Sequence, residues 1–196
     1  MIILGLTGPS GTGKTTISDF AKELGYKVID CDKVAAEVTK SQELLLKLED
    51  AFGAVVKNGG LDRKALADKA FSSKEKTMLL NSIMLPVIVK NINEKIEKEK
   101  SLGTKLLLLD APTLYESGAD TLCNGVIAVL ADKNIRSERI LKRDSLPPLQ
   151  LEKRLNAAKD DDFYKSRAEH IIYNNGDLAL LKTKAAEILK KYKECL

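Results

Sequence analysis

The chain reads as an α/β protein built on a parallel sheet, and three features of the sequence predict this. The first thirty residues run from an apolar stretch through a glycine-rich loop and a periodic helix to a second apolar stretch, the pattern of a βαβ unit with parallel strands. Two later runs, Leu106-Leu107-Leu108-Leu109 and Val126-Ile127-Ala128-Val129-Leu130, are apolar without interruption, as strands covered on both faces must be. Between the second and third strands lie roughly seventy residues of helical pattern, which reads as a helical insertion at one end of the sheet.

The first strand is Ile2 to Thr7, followed by Gly8-Pro9-Ser10-Gly11-Thr12-Gly13. From Lys14 to Leu24 the apolar residues Ile17, Phe20, Ala21 and Leu24 recur at helical spacing. Gly25 ends that helix as a C′ glycine. Lys27-Val28-Ile29 is the second strand; Asp30-Cys31-Asp32 follows, with a helix expected to begin near Lys33. In the insertion, Leu44, Leu45 and Leu48 mark one helix, and a long segment from Ser73 to about Lys100, ended by Gly103, marks another. The one β-like run there is Val55-Val56. After the two buried strands, residues 133–168 are helical, polar and rich in Arg, Lys and Asp, broken at Pro147-Pro148. They read as a mobile flap rather than core. Ile171-Ile172 is a short fifth strand, and Leu178 to Tyr192 is an amphipathic terminal helix.

Composition narrows the functional classes. The chain has 196 residues, 44% hydrophobic, 31% charged and 5% aromatic, with no Trp. That suits one domain, or one domain with an insertion, and excludes a disordered chain, a collagen-like repeat and a disulfide scaffold. Thirty-two Lys and Arg against 28 Asp and Glu give a net charge of +4. The excess sits on the terminal helix, so nucleic acid is not an expected partner. Cys31, Cys123 and Cys195 read as reduced thiols in a cytoplasmic protein. A single histidine, His170, argues against a structural zinc site. No apolar run approaches the ~20 residues needed to span a bilayer, and residues 1–7 read as a core strand rather than a signal peptide. No membrane partner is therefore expected.

Gly8-Pro9-Ser10-Gly11-Thr12-Gly13-Lys14-Thr15 matches G-x-x-x-x-G-K-[ST] at every fixed position, after a predicted strand and before a predicted helix. Such a loop curls so that successive N–H groups point inward at phosphate oxygens. The helix start adds its positive dipole end. Lys14 brings a charge to the β- and γ-phosphates, the Thr15 hydroxyl is a Mg²⁺ ligand, and Thr16 adds a phosphate contact. ATP with Mg²⁺ is the expected ligand, bound by Gly8, Ser10, Gly11, Thr12, Gly13, Lys14, Thr15 and Thr16.

No N-K-x-D guanine motif occurs, which argues against a GTPase switch, and the D-x-x-G at Asp50 to Gly53 follows a helical pattern, not a strand. The length, the insertion and the basic flap fit a small-molecule kinase, which must shield the γ-phosphoryl group from water. Strand C-termini line the ligand crevice of an open α/β sheet. Asp32 is thus placed to take a proton from an attacking hydroxyl or to hold the Mg²⁺ shell; the alternative is that one carboxylate, Asp30 or Asp32, caps the next helix while the other works. Asp110, closing the leucine strand, is either a Mg²⁺-orienting carboxylate or a cap on the turn into Pro112. Glu116 could reach the substrate side of the cleft. Arg139 and Arg143, four residues apart on one helical face, could with Arg154 put positive charge over the transferring phosphoryl, Arg143 foremost and Arg139 toward the substrate. Ordinary surface pairing with Glu138 and Asp144 is the alternative. Asn174-Asn175-Gly176 is either a plain turn or a contact for the adenine edge through Asn174.

Taken together and in order, these segments resemble the dephospho-coenzyme A kinase family. The resemblance rests on Gly5-Leu6-Thr7-Gly8 through Gly13-Lys14-Thr15, Val28-Ile29-Asp30-Cys31-Asp32, and Phe52-Gly53 with Leu61-Asp62-Arg63. It continues in Leu109 through Gly118, Leu141-Lys142-Arg143-Asp144 and Ile171 through Gly176, and so spans nearly the whole chain. It implies phosphorylation of the ribose 3′-hydroxyl of dephospho-coenzyme A by ATP. It implies a P-loop kinase with a nucleotide-binding core (residues 1–38, 101–140 and 168–196) on a five-stranded parallel sheet, a helical substrate domain (39–100) and a lid (141–167). By position, Asp32 would be the base, Lys14 and Arg143 the charge stabilisers and Thr15 the Mg²⁺ ligand. Two departures fall on substrate-side or lid elements: Leu85-Pro86 where the family commonly has His-Pro, and Ala158 where it tends to carry Gln. They leave two alternatives, a kinase for another small acceptor and a nucleotide-binding regulator that transfers no phosphate.

Overall fold

In the computed structural model, which describes residues 1–194, the chain runs β1 (Ile2–Thr7), α1 (Lys14–Glu23), β2 (Lys27–Asp30), α2 (Cys31–Val38) and α3 (Gln42–Phe52). It continues through β3 (Val56–Lys57), β4 (Gly60–Leu61), α4 (Arg63–Ala70), α5 (Lys74–Ser101), β5 (Leu106–Asp110) and, after a short 3₁₀ turn, β6 (Gly125–Leu130). The last elements are α6 (Lys133–Asp144), α7 (Pro148–Asn156), α8 (Asp161–Lys165), β7 (His170–Tyr173) and α9 (Leu178–Glu194). The chain divides into two units, one formed by Met1–Asp30 with the chain from Lys100 onward, the other by Cys31–Glu99. Cys195 lies outside the described residues.

The first unit is built on a five-stranded parallel sheet in the order β2-β5-β1-β6-β7. Strand periodicity sends alternate side chains to opposite faces. One face carries Leu4, Leu6, Leu106, Leu108, Ile127 and Val129, packed against Ile17 and Ala21 of α1 and Leu181, Ala185 and Leu189 of α9. The other includes Ala128 and Leu130, packed against Tyr164 with Tyr115 and Phe163 alongside. Both faces are covered, so the central strands are apolar throughout. Burying each large side chain contributes ~1.5–3 kcal/mol. In the β2–β5 register Asp30 lies opposite Asp110, so both strands end in a carboxylate at the same edge.

The second unit has its own core: Val38, Leu44, Leu48, Val55, Leu66 and Ala70, with Ile83, Val87 and Ile88 packed against it. The Glu49 carboxylate accepts the Val55 and Val56 N–H groups at 2.8 and 2.7 Å. These bonds hold its pKa below the ordinary carboxylate value. The polar bonds fix the entry to an antiparallel hairpin, β3 with β4.

Three local expectations change. The hairpin is joined by Asn58-Gly59, both at positive φ, the signature of a tight hairpin turn, and Val55 is core rather than strand. α2 begins at Cys31, not near Lys33, so Asp32 stands inside its first turn and does not cap it. The 133–168 segment is not a free flap throughout. Arg136 and Ile140 of α6 are buried, and Tyr164 of α8 is 3% exposed against β6. The Phe163-Tyr164 pair anchors what a polar composition presents as surface. Among the described residues, no helix is long and apolar enough to cross a membrane.

Candidate active site

The loop from Gly8 to Gly13 joins the C-terminal end of β1 to the start of α1. Gly8, Gly11 and Gly13 have φ of 133°, 82° and 102°, values that side chains other than glycine rarely tolerate. Space is a second constraint. A Cβ on Gly8 would run into the Val129 carbonyl, and one on Gly11 would meet the Arg136 backbone.

Every carbonyl from Gly8 to Thr12 accepts a hydrogen bond from a side chain. Lys14 Nζ donates to the Gly8 and Pro9 oxygens at 2.6 and 3.1 Å. Thr12 Oγ1 also donates to Pro9, at 2.9 Å. Arg136 Nε donates to the Ser10 oxygen at 3.0 Å, Arg139 Nη1 to Gly11 at 3.5 Å, and Asn174 Nδ2 to Thr12 at 2.7 Å. A trans peptide is planar, with its N–H opposite its C=O. Tying back the Pro9, Ser10, Gly11 and Thr12 carbonyls therefore turns the N–H groups of Ser10, Gly11, Thr12 and Gly13 the other way. Together with the N-terminus of α1, these amides form an anion-binding nest.

Asn174, 7% exposed, is central to this brace. Its own N–H donates to the Leu130 carbonyl at 2.8 Å, extending the β6–β7 pairing. Its carbonyl accepts from Arg139 Nη1 at 2.9 Å. The side chain expected at an adenine edge is thus engaged with the loop, and Arg139, expected on the substrate side, is engaged beside it. In this conformation both side chains hold the loop. Arg136, which the sequence reading passed over, joins them. Its only sequence-level signal is its place three residues before Arg139 on the same helix.

The remaining candidates are more dispersed. Thr15 is exposed on the first turn of α1 and Thr16 half-buried after it. Arg143 lies one helical turn beyond Arg139, where its guanidinium grips Asp144 with bonds of 2.7 and 2.9 Å. Arg154 also binds Asp144. The two arginines hold the Asp144 pKa down to about 2. Arg143 is therefore not seated on the loop in this conformation. Glu116 is exposed on the turn after β5 and acts electrostatically on Tyr164. Asp32 is exposed in the first turn of α2.

The residues proposed for Mg²⁺ fit it. Ser18 Oγ donates to Asp110 Oδ2 at 2.5 Å, so that carboxylate lies against the α1 face on which Thr15 stands one turn earlier. Both groups are hard oxygen donors. No cluster of three or more His, Cys, Asp or Glu able to hold a metal occurs among the described residues. A sparse oxygen set of this kind suits a cation that keeps waters and phosphate oxygens as its other ligands, as Mg²⁺ does.

A parallel sheet whose central strand feeds a glycine loop and helix, with amides turned inward and a lysine across the loop, defines a P-loop nucleotide-binding protein. A solved structure, the dephospho-CoA kinase from Campylobacter jejuni, is similar over 99% of this chain and 98% of its own, with a TM-score of 0.75 at 26% identity. A dephospho-CoA kinase of Fusobacterium nucleatum is 33% identical over 180 residues, 91% of this chain and 92% of that protein. One from Oryza sativa subsp. japonica is 36% identical over 199 residues, 100% of this chain and 86% of its own. The family profile described as Dephospho-CoA kinase matches residues 2–179. The chain belongs to the dephospho-CoA kinase family.

Proposed function

We propose that this enzyme transfers the γ-phosphoryl group of ATP to the ribose 3′-hydroxyl of dephospho-coenzyme A, giving coenzyme A and ADP. The observation that carries the reading is the match to the family across residues 2–179, which takes in the whole phosphate loop and its brace.

The loop amides of residues 10–13 hold the β- and γ-phosphates, and Lys14 exchanges its Gly8 and Pro9 carbonyls for phosphate oxygens. Thr15 and Asp110 would hold Mg²⁺, which supplies charge neutralisation on the phosphate oxygens when bound. Asp32 is the base that takes the acceptor hydroxyl proton. Arg143, released from Asp144, carries positive charge to the transferring group, and Glu116 meets the acceptor. Residues 39–100 form the acceptor-binding part and residues 141–167 the lid that excludes water. The setting is cytoplasmic, without nucleic-acid or membrane partners. Catalysis on this account is positioning plus electrostatics, which is what phosphoryl transfer demands of a protein.

The test is ADP release over a panel of acceptors. Release should require dephospho-coenzyme A and not occur with shikimate or a nucleoside monophosphate. Release with one of those instead would keep the kinase and change the acceptor. Tight ATP binding with no acceptor-dependent release would mark a regulator that transfers nothing.

A further inference from the structure

Arg136 is buried, at 7% exposure, with its Nε on the Ser10 carbonyl at 3.0 Å. Its backbone also walls the loop, standing where a side chain on Gly11 would have to go. Its Nη2 is buried and has no hydrogen-bond partner among the described residues. Burial pulls its pKa below the ordinary arginine value, while Tyr164 and Asp161 of α8 act on the same guanidinium in the opposite sense. A buried guanidinium with an unused donor carries a desolvation cost that its one bond to Ser10 offsets only in part. The placement makes sense through the peptide it grips. The Ser10 carbonyl and the Gly11 N–H belong to one planar unit and point in opposite directions. A guanidinium fixed on the carbonyl both aims that N–H into the nest and polarises it as a donor.

We propose that Arg136 is a positioning residue for nucleotide binding, acting through the Ser10–Gly11 peptide to aim the Gly11 N–H at a phosphate oxygen. It touches neither ATP nor the acceptor. It works from behind the loop, together with Arg139 at Gly11 and Asn174 at Thr12. The proposal rests on the reading of the loop as the ATP phosphate site and adds to it the residue that sets the direction of one donor.

The experiment compares wild type with Arg136→Met and Arg136→Lys by ADP titration, ATP and acceptor KM, thermal unfolding and amide NMR. Arg136→Met should raise the ADP Kd and the ATP KM about tenfold, the order expected for misaiming one charge-assisted hydrogen bond. The acceptor KM should stay put, and Tm should fall only slightly, since the Ser10 carbonyl that loses its donor is half-buried and within reach of water. Arg136→Lys, which keeps the charge without the planar fork, should fall between. The Gly11 amide proton should shift downfield on ADP addition in wild type and distinctly less in Arg136→Met. Should the methionine variant not fold, the lysine variant supplies the same readings. Wild-type ADP affinity and an unaltered Gly11 shift in a folded variant would overturn the proposal while leaving the loop's role intact. If wild type itself binds no ADP, the reading of the loop fails, and this proposal with it.

Discussion

Replacing Asn174 with alanine removes one donor, Nδ2, from the Thr12 carbonyl at 2.7 Å. Asn174 is 7% exposed and Thr12 fully buried, so little solvent stands ready to replace the bond. Leaving a buried carbonyl without its partner costs ~1–3 kcal/mol. For a chain of this size about 2 kcal/mol lowers Tm by about 4–8 °C. The backbone bonds of Asn174, from its N–H to Leu130 and from Arg139 to its carbonyl, survive the change, so the β7 end stays in place and the loss is local. The second effect falls on the ligand. The released Thr12–Gly13 peptide no longer holds the Gly13 N–H toward phosphate, and forfeiting about 1.4 kcal/mol there weakens ADP about tenfold. At ADP near 100 times the wild-type Kd, ligand stabilisation then drops from about 2.7 to about 1.4 kcal/mol, and the ADP-induced rise in Tm is roughly halved. Thermal unfolding with and without ADP reads both numbers, and the ATP-to-GTP preference should not move. A lower Tm with an unchanged ADP shift would reduce Asn174 to ordinary core. A collapsed adenine preference would place the Asn174 side chain at the nucleobase and refute this reading.

Lys14→Ala should cut kcat by at least about a hundredfold, the scale of losing one transition-state charge contact, with little loss of Tm; full turnover in steady-state assays would contradict the loop chemistry. Asp32→Asn should lower kcat while ATP affinity is nearly retained. A fall in Tm alone, at unchanged kcat, would assign Asp32 to the favourable end of the α2 dipole instead. Asp144 titrates in the folded state at about 2, below its ordinary value near 3.8. Its pairing with Arg143 and Arg154 therefore contributes fully above about pH 4 and is lost as pH falls toward 2. Proteolysis of the 141–167 segment should accelerate through that window in wild type and be pH-flat there in Asp144→Asn; identical profiles would show that the pairing does not order the segment.

The sheet was legible because burial on both faces leaves no choice of residue. Leu106 to Leu109 and Val126 to Leu130 carry no polar side chain, and each is a strand. The loop was legible because its glycines answer to φ and space rather than to packing taste. What escaped was tertiary. The Asn58-Gly59 turn carried a hairpin signal, but strands of two residues are too short to show alternation. Phe163-Tyr164 sits among charges and gives no periodic cue, yet it packs on β6. The brace on the loop joins Asn174 to Thr12 across 162 positions and Arg136 to Ser10 across 126. A polar residue that serves another segment's backbone looks, in sequence, like one that serves a ligand, and nothing in the sequence around Asn174 or Arg139 separates the two.

Turnover requires that the amides of Ser10 to Gly13 hold a polyphosphate, and calorimetric titration of ADP with Mg²⁺ into the intact enzyme tests this most directly. One site per chain should appear, with its affinity lost in Lys14→Ala and weakened in Asn174→Ala. Absence of binding heat at several temperatures, or affinity indifferent to both substitutions, would contradict it.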